Sequence, residues 1–247
     1  MAKRNGVDRQ ASGVILLGGG LDSGALLYWL KASGAWIEAL WIDYGQKAAF
    51  GESVAVGGLC YGLNVPVHRA TIDLGDLSQC ALLRGQRTNS KNASRKNKLE
   101  ARNVVFVGLA AMLASSLGLP RVYVGFHQEP AAAPFPDATE DARWMMNELL
   151  NFICRPAVSL VAPFKDLSRQ EILEAGLKLN PNLASDTFTC YESTTDAECG
   201  QCAHCQRKAR MLKRVKARTG PECAPPEAHS KRDLLRRRKL AQKQPSV

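Results

Sequence analysis

One stretch constrains this chain more than any other: Val14-Ile15-Leu16-Leu17, then Gly18-Gly19-Gly20, then Leu21-Asp22-Ser23, with Ala25, Leu26, Trp29 and Leu30 following at helical spacing. Four consecutive aliphatic residues read as a buried parallel strand, because such strands are covered on both faces and show no alternation. Three glycines let the backbone turn sharply and leave amide N–H groups bare. Asp22 or Ser23 is placed to cap the helix that follows. A strand, a glycine turn and a helix N-terminus together make a cradle for phosphate, since uncapped N–H groups and the helix dipole both favour an anion. The plain alternative is an ordinary glycine-rich turn.

The downstream pattern repeats the strand-helix alternation. Trp36 to Asp43 reads as a second strand leaving through Tyr44-Gly45-Gln46, Ala48 to Tyr61 as a small-residue helix, and Val65 to Asp73 as a third strand. A β-α-β-α-β start predicts a doubly wound parallel sheet, in which ligands lie beyond the carboxyl ends of the strands. Gly18 to Ser23, Asp43 to Gln46 and Asp73 all fall at that edge. Further on, Val104 to Leu117 is an apolar helix opened by Arg102-Asn103, and Arg121 to Gly125 is a fourth strand. A loop carrying Glu129 and Asp137 follows, then a helix from Asp141 to Cys154 and a short fifth strand from Ser159 to Phe164. Leu167 to Leu179 is amphipathic, with Ser168 and Glu171 spaced as a capping box. Arg84 to Lys98 is polar and basic, and reads either as a surface loop or as a lid over an anionic ligand.

The formal charge of +10 is a local feature. From Arg207 onward there are 14 Lys and Arg against 3 Asp and Glu, which leaves 19 basic and 20 acidic residues in the body. A neutral body with a basic end reads as a solvated tail, with attraction to nucleic acid as the minority reading. No apolar run is long enough for a bilayer, and Met1 to Gly6 lacks the apolar core of a secretory signal, so a cytoplasmic location is expected.

Cys190, Cys199, Cys202 and Cys205 are spaced C-x8-C-x2-C-x2-C. In a reducing compartment clustered thiols are usually metal ligands. Tight x2 turns bring sulfurs about 3.5–4 Å apart, which suits tetrahedral zinc, and four thiolates close the shell and make the site structural. An iron–sulfur cluster is the rival. His204 is read as a surface residue between ligands, and Cys60, Cys80, Cys154 and Cys223 as ordinary free thiols. The expected organisation is an N-terminal extension (1–12), an α/β domain (13–182), a four-cysteine segment with its helix (183–220) and a basic tail (221–247).

The glycine loop resembles the SGGxDS loop of PP-loop ATP pyrophosphatases, with Gly18 in place of the first Ser. Together with Asp43-Tyr44-Gly45-Gln46, Arg102-Asn103-Val104-Val105-Phe106, Phe135-Pro136-Asp137, Pro163-Phe164-Lys165-Asp166-Leu167-Ser168-Arg169 and the four cysteines, the order resembles that of the 7-cyano-7-deazaguanine synthase (QueC) family over roughly Gly13 to Leu212. Phe135 replaces a Tyr of that pattern, and Ala138-Thr139 replace its Cys-Arg. The resemblance implies a Rossmann-like sheet of the adenine nucleotide alpha hydrolase type with helices on both faces and a small zinc-binding subdomain. It also implies an ATP-dependent carbon–nitrogen ligase that turns 7-carboxy-7-deazaguanine and ammonia into 7-cyano-7-deazaguanine. Transfer of an activated deazaguanine to a protein or nucleic acid in a defence or DNA-modification system stays open beside it, as does a nucleotide-binding module without catalysis.

The resemblance further implies roles for residues. ATP falls to Leu17, Gly18, Gly19, Gly20, Leu21, Asp22, Ser23, Asp43, Tyr44 and Gln46, with Mg²⁺ at Asp22. Asp22, Ser23, Lys165 and Arg169 are the catalytic set, and Arg102, Asn103, Gly125, Glu129, Phe135 and Asp137 bind the substrate. In this scheme Glu129 or Asp137 accepts hydrogen bonds from the guanine-like edge. Structural Zn²⁺ belongs to the four cysteines, and a homodimer is the expected assembly.

Overall fold

A computed structural model describes residues 8–75, 77, 80, 82–84, 99–128 and 136–219. The larger part of the basic segment (85–98), Glu129, Phe135, Cys223 and the basic tail lie outside the described residues. Five strands, β1 (Asp8–Leu16), β2 (Ala35–Asp43), β3 (Val67–Thr71), β4 (Arg121–Tyr123) and β5 (Ser159–Val161), form one sheet in the order β3-β2-β1-β4-β5. Every pairing is parallel, with Val14 opposite Glu38 on one side and Val122 on the other. Among the described residues, seven α-helices flank the sheet: α1 (Leu21–Ala32), α2 (Ala49–Leu63), α3 (Arg102–Leu117), α4 (Glu140–Ile153), α5 (Arg169–Leu179), α6 (Leu183–Asp186) and α7 (Ala203–Thr219).

The expected α/β class is present, and its physical basis is the two-sided burial of β1 and β2. Ile15, Leu17, Ile37, Ala39 and Trp41 join Leu26, Leu30, Leu59, Ile172 and Leu173 in a core on one face. Val14, Leu40, Ile42 and Val122 join Val107, Ala110, Ala114 and Leu150 in a core on the other. Period-2 side chains therefore meet helices on both sides, which is why these strands read as unbroken apolar runs. The chain leaves β1 toward β2, and after β3 returns to β4 on the far side of β1. Such a switch point opens a crevice at the carboxyl ends of the two neighbouring strands.

Local signals held where short-range chemistry decides them. Ser168 Oγ accepts from the Glu171 amide and the Glu171 carboxylate reaches back to the Ser168 N–H, the capping box expected at α5. One expectation fails, and one residue of the helical pattern sits apart from the core. Neither Asp22 nor Ser23 caps α1; Gly20 holds that position with no side-chain hydrogen bond, and both residues sit inside the first turn. Trp29 is 42% exposed, its ring edge-on to Phe164 at 6.1 Å, so it flanks the core instead of filling it. The short α6 gave no periodic signal of its own.

Helices α1 and α5 pack at one glycine. A Cβ on Gly176 would lie 2.3 Å from Leu183 Cδ2 and 2.9 Å from Ala25 Cβ, and both neighbours are held in the core. Gly176→Ala is expected to destabilise by about 1–3 kcal/mol through overpacking, seen as a loss of several degrees in a thermal melt. An unchanged melt would mean that these helices do not meet there.

Candidate active site

A cleft of about 300 Å³ opens at the carboxyl ends of β1 and β4. Its floor is the turn between β1 and α1. Gly19 takes φ +72°, and a Cβ there would lie 2.8 Å from the Glu52 carbonyl oxygen, so both conformation and space demand glycine. The Phe188 N–H donates to the Gly19 carbonyl at 2.8 Å and ties the turn to the start of the four-cysteine segment. Gly20 at the start of α1 has no side chain to cap the helix, and Leu21, Asp22 and Ser23 of its first turn line the cleft. Ser23 Oγ donates back to the Gly20 carbonyl at 3.3 Å.

Charged groups surround this floor. Arg169 Nε lies 3.4 Å from Asp22 Oδ2 and donates to His127 Nε2 at 2.8 Å, so the start of α5 is joined to the start of α1. The Arg102 guanidinium lies over the rings of Tyr44 and Phe106, at 5.5 and 5.7 Å from their centroids, and donates to the Tyr44 hydroxyl at 3.1 Å. Burial works against this cation, but the neighbouring Tyr44 and Tyr191 hydroxyls and Glu52 outweigh it and keep it charged. Across from it, burial raises the Glu52 carboxyl to about 7, opposed by the Gln46 amide, which donates to Oε2 at 2.7 Å, and by Arg102.

The four cysteine sulfurs lie within 4.8 Å of one another, with Sγ···Sγ separations of 4.0 Å (Cys190–Cys202), 4.0 Å (Cys199–Cys205) and 3.5 Å (Cys202–Cys205). A tetrahedral shell with about 2.3 Å metal–sulfur bonds has sulfurs about 3.8 Å apart, so the residues fit a single metal ion. Backbone N–H groups of Ser193, Cys199, Cys202 and Cys205 donate to these sulfurs, the support that thiolates need when a metal gathers them. Lys208 Nζ holds the segment to the body through Glu198 and the Thr187 carbonyl.

The family model for queuosine biosynthesis protein QueC matches residues 12–216. The chain belongs to that family. Two relatives, both 7-cyano-7-deazaguanine synthases, illustrate the distance. That of Campylobacter concisus (strain 13826) is 28% identical over 217 residues, covering 83% of this chain and 95% of its own. That of Caldicellulosiruptor bescii is 30% identical over 210 residues, covering 82% and 92%. Among solved structures, a 4-thiouridine synthetase–RNA complex with bound ATP is similar at TM-score 0.46 and 17% identity, covering 94% of this chain and 53% of that one. Membership of the QueC family places the chain among ATP-dependent ligases.

In this QueC-family chain the cleft is lined by Leu17, Gly18, Gly20, Leu21, Asp22, Ser23, Tyr44, Arg102, Asn103, Gly125 and Arg169, all singled out from the sequence. Gly19 belongs to the floor already described, Glu129 and Phe135 fall outside the described residues, and Asp43, Gln46, Asp137 and Lys165 do not line the cleft. Both Asp43 carboxylate oxygens receive Arg84, and Oδ1 also accepts the Gly45 N–H. Gln46 is buried, holding Ile42, Tyr44 and Glu52 together. Both Asp137 oxygens are taken by the amide and side chain of Asn103, at 2.9 and 3.1 Å, so this carboxylate secures the start of α3. Lys165 is bound to Glu140 and Asp166 on the exterior. His204 corrects the surface reading. Its ring stacks on Tyr191 with centroids 3.7 Å apart in the cleft wall, and burial, then Arg207 and Arg169, lower its pKa to about 4. Sequence reading also passed over Glu52, Tyr191 and His127. Their signal was weak, because Glu52 and Tyr191 reach the cleft, and His127 reaches the Asp22–Arg169 pair, only through tertiary packing.

Two outcomes test the site. Elemental analysis should find about one metal ion per chain, and Cys199→Ser should lose it along with local folding free energy; a metal-free, equally stable parent would refute the centre. For Glu52, the folded carboxyl holds its proton to about 7 while the unfolded one ionises in the ordinary range, so its contribution is full at low pH and drains away as pH rises toward 7. Glu52→Gln should therefore gain stability relative to the parent between about pH 5 and 8, by a few kcal/mol at most. A pH-independent difference in denaturant melts would contradict this.

Proposed function

We propose that this chain uses ATP to activate the carboxylate of 7-carboxy-7-deazaguanine and condenses it with ammonia to give 7-cyano-7-deazaguanine. The observation that carries the reading is the uncapped start of α1 behind the Gly18–Gly20 turn, facing a cleft flanked by Arg102 and Arg169. Hydroxide is a poor leaving group, so a carboxylate needs activation before ammonia can displace its oxygen. Attack of the carboxylate on the α-phosphorus of ATP forms an acyl-adenylate and releases pyrophosphate; ammonia then displaces AMP to leave the amide. The amide oxygen then attacks the α-phosphorus of a second ATP, releasing pyrophosphate, and loss of AMP with that oxygen, together with both N–H protons, gives the nitrile.

Chemistry of this kind asks for positioning and charge stabilisation. The backbone N–H groups of Gly19, Gly20 and the first turn of α1, with the Ser23 hydroxyl, suit the departing pyrophosphate. Arg169 is held at the cleft by Asp22 and His127 and is placed to offset developing phosphate charge. Mg²⁺ arriving with the nucleotide would be held at Asp22 and supply further charge neutralisation. Zinc is the metal we assign to the four thiolates, since separations of 3.5–4.0 Å suit one ion and a cluster with one thiolate per iron spreads its sulfurs wider.

Ammonia is favoured over a macromolecular acceptor by the synthase names of the relatives. A homodimer accords with the outward faces of α3 and α4, where Met112, Trp144, Met145, Leu149 and Phe152 are exposed with few charges between them. Among the described residues no helix is long and apolar enough to cross a membrane, in keeping with action in the cytoplasm.

Ser23→Ala and Asp22→Ala should each lower AMP and pyrophosphate release by about 100-fold or more with an unchanged thermal melt. Parent-like turnover in both variants would remove the loop from the reaction.

A further inference from the structure

Two charged side chains on the cleft wall are close enough to influence each other yet form no salt bridge. Glu52 and Arg102 both line the cleft, but among the described residues no cation lies within salt-bridge distance of the Glu52 carboxylate. Buried Arg102 Nε has no hydrogen-bond partner. Buried polar groups left in this way are costly unless something completes them. The two carboxylates lining the cleft are Asp22 and Glu52. Asp22 already faces Arg169, whereas Glu52 has one oxygen on Gln46. Asp137 is consumed by Asn103. Aromatic side chains of Tyr44, Phe106, Phe126 and Tyr191 line the same cleft and suit a flat ring.

We propose that Glu52 and Arg102 together read the guanine-like edge of the substrate, the Glu52 carboxylate accepting the ring N–H and the 2-amino group while Arg102 donates to the ring oxygen. The inference rests on the activity proposed above and names the pair that selects its heterocycle. A 2-amino-4-oxopyrimidine edge presents two adjacent donors and one acceptor in a plane, which matches a carboxylate and a guanidinium side by side. An adenine edge offers one donor and one ring acceptor, a poorer match to an ionised carboxylate. The nucleotide's phosphates are left to the glycine turn, so the two ligands are held by separate groups.

Titration calorimetry on the full-length, metal-loaded chain tests this with three ligands: 7-carboxy-7-deazaguanine, the same acid lacking the 2-amino group, and a non-hydrolysable ATP analogue. The parent should prefer the amino acid form by roughly 10- to 100-fold. Glu52→Gln should lose that preference while binding the ATP analogue as the parent does. Equal binding of both acids by the parent, a preference kept by Glu52→Gln, or an equal loss of ATP affinity would each overturn the assignment. Should Glu52→Gln not fold, the two-acid comparison on the parent decides, with Arg102→Lys expected to weaken the acid but not the nucleotide. A parent that binds ATP but neither acid would overturn the proposed activity and this inference with it.

Discussion

The fold depends on how the chain leaves β1. A strand buried on both faces must end, turn and restart as a helix within four residues, and the backbone does so only by passing Gly19 through positive φ against the Glu52 carbonyl. Everything functional follows from that turn. It sets the N-terminus of α1 at the switch point between β1 and β4, leaves that start without a capping side chain, and offers the Gly19 carbonyl to Phe188. A side chain at Gly19 would push α2 away and carry Glu52 out of the cleft with it, so the phosphate floor and the carboxylate wall are positioned by the same contact.

Around this floor the charges fall into two groups. Asp22, Arg169 and His127 satisfy one another and stiffen the meeting of α1 with α5. Arg102 and Glu52 do not, and are held by neutral partners instead: Tyr44 for the guanidinium, Gln46 for the carboxyl. Neutral anchoring fixes direction without cancelling charge, which is how a site keeps its polarity available to a ligand. The buried Gln46, accepting from the Tyr44 amide while donating to Ile42 and Glu52, is the brace that makes this possible.

What could be read in the sequence divides along the same physical line. The glycine turn, the capping box at Ser168 and the four cysteines declare themselves because their chemistry is complete within a few residues, and all three fall inside the span 12–216 that the family model matches. Glu52 looked like one more acid on a small-residue helix, and nothing local reveals that α2 presses it against Gly19. Asp137 looked free to accept from a ligand because its partner Asn103 lies 34 residues away. His204 reads as surface between two ligands in the sequence, since its stack on Tyr191 exists only once the segment has closed. Likewise Asp22 had the composition of a cap, but Gly20 occupies that position and turns the carboxylate toward Arg169.

The four-cysteine segment is thereby more than a staple at the edge of the molecule. Tyr191 follows the ligand-type residue Cys190 and His204 precedes Cys205, so the two rings that stack in the cleft wall are each fixed by a neighbouring sulfur. Phe188 joins the same segment to the phosphate turn, and Lys208 clamps it through Glu198. A closed shell of four thiolates leaves no open position for chemistry. Its influence on the reaction is instead geometric: a metal held there would fix one wall of the cleft, and releasing it would let Tyr191 and His204 withdraw while the sheet and the glycine turn stayed in place.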